Sequence, residues 1–121
     1  MKPKLKLKLK RVYDEPDAAD GKRILVDRLW PRGLTKEKAQ VDLWLKEIAP
    51  TTELRKWFNH EPEKWAEFQK RYRRELEAND EVVERLQREL KGGVVTLVYG
   101  ARDEEHNAAL VLKEFLEDAS D

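Results

Sequence analysis

The chain has no cysteine among its 121 residues. That excludes disulfides, thiolate zinc sites, iron–sulfur clusters and cysteine nucleophiles, and it agrees with a reducing compartment. Net charge is missing too: 25 Lys and Arg are matched by 25 Asp and Glu. No global field therefore draws in nucleic acid or an anionic membrane, and any anion binding must come from a local cluster. No apolar run approaches transmembrane length. The basic N-terminus, MKPKLKLKLKRVYD, lacks the apolar core of a signal peptide. There is no phosphate loop, dinucleotide glycine pattern, nucleophile elbow or zinc-protease pair. These absences predict a cytoplasmic protein that needs no cofactor and has no membrane partner.

What is abundant is balanced charge, at 41% of residues against 40% hydrophobic. The length suits one compact domain over residues 1–121 and is too short for two. Leu5, Leu7 and Leu9 alternate with Lys4, Lys6, Lys8 and Lys10, which predicts a half-buried edge strand; a basic arm for nucleic acid is the alternative. Arg23 to Asp27 reads as a second strand. Thr35 can cap a short helix over 36–40. Residues 41–49 fit either period; we read a strand ending at Ala49-Pro50. Thr51 or Thr52 caps ELRKWF. Pro62 suits a first helical position, and Trp65, Phe68, Tyr72 and Leu76 form one stripe behind it. Asp80 caps a further helix that Gly92-Gly93 end. Val94 to Tyr99 is nearly all apolar, the mark of a strand buried on both faces. Asp103 can cap a last helix carrying Ala108, Val111, Leu112 and Phe115 inward.

Strands alternating with helices predict an α/β fold: a single small domain with a largely parallel sheet of about four strands and helices packed on its faces. Such sheets bind ligands beyond the carboxyl ends of their strands. Two loops leave such ends, Asp27 to Leu34 and Gly100 to His106, and both are rich in reactive side chains. In the first, Arg28 and Arg32 carry donor forks suited to phosphate or carboxylate. Pro31 and Gly33 shape the turn. Trp30 could stack on a planar ligand, although a plug at the core edge is the commoner role. Asp27 could orient an arginine or act as a base. In the second loop Arg102 could meet an anion near a helix start, His106 could serve as general acid or base, and Asn107 could hydrogen-bond a ligand. Tyr99 offers a second stacking surface. Asp103, Glu104 and Glu105 read as ordinary first-turn residues. A metal on Asp103 and His106 lacks a third ligand. His60 reads as a helix-junction residue, and Arg71, Arg73 and Arg74 as a solvated face.

The strings RVYD, ILVDRLWPRGL, LWLKEIAPT, LRKWFNH, RYRREL and TLVYGARDEEHNAALVLKE, in that order, resemble the YeaO-like bacterial proteins. These belong to the group known as domain of unknown function 488. The resemblance spans Arg11 to Glu117. It implies a small cytoplasmic α/β protein without an agreed biochemical activity. More distant relatives are similar at both loops. They carry an Asp-x-Arg-x-x-Pro-type string where this chain has Asp27, Arg28 and Pro31, and a Cys-His-Arg string near Glu105, His106 and Asn107. This chain lacks that cysteine and second arginine, so thiol chemistry does not carry over. Glu61 stands where close relatives often have aspartate before the proline.

The combined expectation is a pocket for an anionic small molecule, phosphate- or nucleotide-like. Arg28, Arg32 and Arg102 would hold the ligand, and Asp27 and His106 would handle protons in hydrolysis or group transfer. A nucleic-acid-binding or processing module is the second candidate. A non-catalytic interaction protein is the third.

Overall fold

A computed structural model describes residues 6–119. Leu7–Arg11 (β1), Lys22–Leu25 (β2), Leu43–Trp44 (β3) and Val95–Tyr99 (β4) form one sheet in the order β1-β4-β2-β3. Every pairing is parallel, with Leu97 of β4 opposite Leu9 on one side and Ile24 on the other. All of β4 is buried, as an apolar run without alternation requires of a central strand. β1 is an edge, with Leu7 buried and Lys8 exposed. Lys4 and Leu5 of the predicted strand lie outside the described residues.

The helices are Lys36–Ala39 (α1), Thr52–Phe58 (α2), Trp65–Glu77 (α3), Asp80–Leu90 (α4) and Ala108–Ala119 (α5). Period-two alternation sends Ile24, Val95, Leu97 and Tyr99 to one sheet face, where Phe68, Tyr72 and Leu76 of α3, Leu86 of α4 and Val111, Leu112 and Leu116 of α5 bury them. Leu25 and Val98 point the other way, into a smaller cluster with Val12 and Ala39. Trp30, Leu34 and Val41 cover that cluster.

Thr35 and Thr51 cap α1 and α2, accepting from Lys38 N at 3.1 Å and Leu54 N at 3.2 Å. Residues 41–49 resolve their double period by dividing. Leu43–Trp44 pair with β2, and Lys46–Ile48 then turn as a single 3-10 helix that buries Leu45 and Ile48. Asp80 is the first residue of α4 rather than its cap. Asn79 holds the cap position, and Asp80 still meets the positive helix end. α4 closes through Lys91 in a right-handed conformation, and Gly93, at φ 130°, makes the turn into β4.

Candidate functional site

The two strand-exit loops meet. β2 and β4 are neighbours, so the chain leaving Leu25 and the chain leaving Tyr99 emerge side by side. Asp27 joins them: its Oδ2 accepts the Gly100 N–H at 2.8 Å. A β-carbon at residue 100 would sit 3.2 Å from that oxygen, so glycine lets the carboxylate close in. Between the loops and the start of α5 lies a pocket of about 490 Å³. That is within the size range of small-molecule sites.

The first loop is held rigidly. Trp30 donates from Nε1 to Leu34 O at 2.7 Å and meets Trp44 edge-on at 5.5 Å. Trp44 Nε1 donates to Asp27 O at 2.7 Å, and Tyr13 Oη donates to Arg32 O at 2.9 Å. Arg28 faces the pocket but donates to backbone: Nε to Pro50 O at 3.2 Å and Nη2 to Ala49 O at 3.0 Å. Its fork ties the loop to the entry of α2. The Arg32 side chain is exposed at the pocket edge and takes part in no ion pair among the described residues.

In the second loop, Asp103 is not the cap of α5. Its Oδ1 accepts from Glu105 N at 2.9 Å and His106 N at 3.0 Å, closing a turn before the helix. Asn107 is the cap: it is buried, and its Oδ1 accepts from Leu110 N at 2.8 Å while Nδ2 donates to Asp103 O at 2.9 Å. His106 lines the pocket with Nδ1 2.9 Å from Asp103 Oδ2 and its ring edge-on to Trp65 at 5.3 Å. The Glu105 N–H first, then the imidazole, hold the Asp103 carboxyl below its usual range. Tyr99 closes the sheet side, and burial pushes its phenol up.

Asp27, Arg28, Trp30, Arg32, Tyr99, His106 and Asn107 thus line one pocket. Arg102 does not: it is exposed and outside the lining. Burial pushes the Asp27 carboxyl up, against the pull of the Gly100 N–H and of Arg55.

Arg55, Phe58 and Phe68 line the same pocket; of these the sequence marked only Phe68, and only as part of the buried α3 stripe. The two phenylalanines stack at 4.3 Å as its apolar wall. His60 also reaches it, from a left-handed backbone at φ 55° after α2. Arg55 and Phe58 are three apart on α2, so both reach the pocket from the same helix face. Elsewhere, Lys10 pairs with Asp20, Arg71 with Glu67 and Arg73 with Asp118, so much of the basic surface is locally neutralised. Among the described residues no group of three or more His, Asp or Glu could hold a metal ion. None of the described helices is long and apolar enough to cross a membrane.

The chain is similar to the uncharacterized protein YeaO of Escherichia coli (strain K12), with 45% identity over 112 residues, covering 93% of this chain and 97% of YeaO. It is similar to the uncharacterized protein Rv3073c of Mycobacterium tuberculosis (strain H37Rv), with 41% identity covering 92% of this chain and 93% of that protein. No solved structure matches. A family model described as the inactive DUF488-N3 subclade matches residues 6–121. On that match and these relatives, the chain belongs to the YeaO-like proteins of the DUF488 group, within the subclade described as inactive DUF488-N3.

Proposed function

We propose that the protein is a cytoplasmic binding domain for a small molecule with an anionic group, phosphate or carboxylate, held in the pocket beyond β2 and β4. One observation carries this reading: three arginines and two histidines converge on a pocket of about 490 Å³ that contains a single carboxylate, Asp27. Arg32 and Arg55 would hold the anion, while Arg28 keeps the loop in place through its carbonyl contacts. Binding rather than turnover is favoured by the subclade's description as inactive and by the lack of any thiol nucleophile.

A thermal-shift screen with phosphosugars, nucleotides and short oligonucleotides tests this on the parent and on Arg32→Ala/Arg55→Ala. A ligand at about a hundred times its Kd adds roughly 2.7 kcal/mol of stability, on the order of ten degrees. The shift should fall sharply in the double variant. Equal shifts in both proteins would sink the site. Oligonucleotides shifting the parent where no mononucleotide does would support the nucleic-acid reading instead.

A second reading, hydrolysis or group transfer, rests on the ring of His106 held by Asp103 at 2.9 Å. That contact fixes the tautomer and leaves the other ring nitrogen to move a proton. Turnover of a bound ligand that His106→Gln abolishes without weakening binding would favour it.

A further inference from the structure

Asp27 has one oxygen to spare. Its Oδ2 accepts the Gly100 N–H, and no described residue donates to Oδ1. Oδ1 is not a sealed, unpaired atom either, since no such buried atom occurs among the described residues. It therefore keeps contact with solvent, and Asp27 lines the pocket. An ionised carboxylate accepts and cannot donate. It repels the anionic end of a ligand and favours an end that carries N–H donors. Arg32 and Arg55 sit on exposed chain at the same pocket, where an anion can meet water and cation together. Phe58 and Phe68 supply an apolar wall for a flat ring. The pocket therefore offers one ligand both cations and an acceptor.

We propose that Asp27 is a specificity-determining residue that selects ligands joining an anionic group to a planar nitrogen heterocycle with an N–H donor edge, guanine being the best-matched nucleobase. Guanine presents N1–H and the 2-amino group side by side, a pair that a carboxylate can accept. Hypoxanthine lacks the amino group. Uracil flanks its one N–H with carbonyl oxygens, which oppose a carboxylate. This inference rests on the anion-binding reading above and adds the chemistry of the ligand's other end.

Calorimetric titration at neutral pH tests it with guanosine 5′-monophosphate, inosine 5′-monophosphate, uridine 5′-monophosphate and ribose 5-phosphate. The proteins are the parent, Asp27→Asn and Arg55→Ala. The parent should bind the guanine nucleotide about tenfold more tightly than the other two nucleotides, the usual scale of a hydrogen bond to a charged partner. Asp27→Asn keeps an acceptor for Gly100 and should erase that preference without weakening ribose 5-phosphate. Arg55→Ala should weaken all four. Equal binding of guanine and uracil nucleotides by the parent would overturn the inference without help from any variant. So would a guanine preference that survives Asp27→Asn. If ribose 5-phosphate binds in an Arg55-dependent manner and no base adds affinity, the anion reading stands and this one falls. If none of the four ligands binds the parent, both fall.

Discussion

Removing Asp20 should expose how much of the sheet's smaller face depends on one buried ion pair. Asp20 Oδ2 accepts from Arg23 Nη1 at 2.7 Å, and the two side chains are only 7% and 4% exposed. Arg23 also donates from Nε and Nη2 to Ala39 O at 3.2 and 2.9 Å, and from Nε to Gln40 O at 3.1 Å, fastening β2 to the end of α1. Lys10 reaches Asp20 from β1 at 3.2 Å, and the Asp17 N–H donates to it at 3.1 Å. In Asp20→Ala the guanidinium keeps its carbonyl partners and loses its counter-charge. Breaking one side of a buried pair costs about 3–5 kcal/mol. Lys10 is more open to water and adds little. Total stabilities of small domains are about 5–15 kcal/mol, so the variant should fold with much of its margin gone. Urea unfolding at neutral pH should show a lower midpoint with an unchanged slope. Arg23→Met added to Asp20→Ala should recover part of the loss, because no orphaned charge remains. A loss below about 1 kcal/mol, the scale of an exposed pair, would refute the reasoning. The pH dependence supplies a second check. Burial pushes the Asp20 carboxyl up, but the Asp17 N–H, Arg23 and Lys10 together outweigh it and hold the group below its usual range. A depressed folded value means the contribution is complete above the unfolded value of about 3.9 and is lost as pH falls through the folded one. The gap between parent and variant should therefore stay level from neutral pH to about 5 and close in stronger acid.

Gly21→Ala should be severe: φ is +65° and the new β-carbon would fall 2.2 Å from Val94 O, the atom that accepts from Lys22 N to start the β2–β4 ladder. Strain of this backbone class alone costs about 1–3 kcal/mol, so a midpoint change under 1 kcal/mol in urea would count against the geometry. Arg28→Lys should lower stability by about 1–2 kcal/mol through the lost fork to Ala49 and Pro50, whereas Arg32→Ala should leave stability nearly unchanged and weaken only ligand binding. Unfolding and titration on both variants separate the two roles. Asp27→Asn should stabilise the empty protein at neutral pH. A carboxyl whose folded value is raised by burial destabilises the fold once pH passes its unfolded value, so the gain should vanish below about pH 3.9. Thermal melts across pH would show the opposite trend if Asp27 were a stabilising partner.

Legibility followed periodicity and failed where tertiary partners decide. β4 and the α3 stripe could be read because each carries one unmixed pattern that burial needs, and the parallel sheet followed from alternating strands and helices. The pairing of the two loops was legible only as a rule about strand ends, since nothing in the sequence puts β2 beside β4 rather than beside β1. Arg28 and Arg32 illustrate the limit. Both are arginines in the same eight-residue string, yet one spends its donors on carbonyls 21 and 22 residues away and the other stays exposed at the pocket edge. Arg102 looked equivalent to them and lies outside the pocket, because the Asp103 turn and the Asn107 cap take up the loop and carry it elsewhere. Arg55 had no local mark at all. What places it is the contact of α2 with α3 and the Arg28 clamp on the two residues before Thr51, contacts distant in sequence. The pocket thus combines a string conspicuous in the sequence with a helix that was not. The part hidden from the sequence supplies one of the pocket's arginines and its stacked aromatic wall, because those positions depend on how α2 packs on α3.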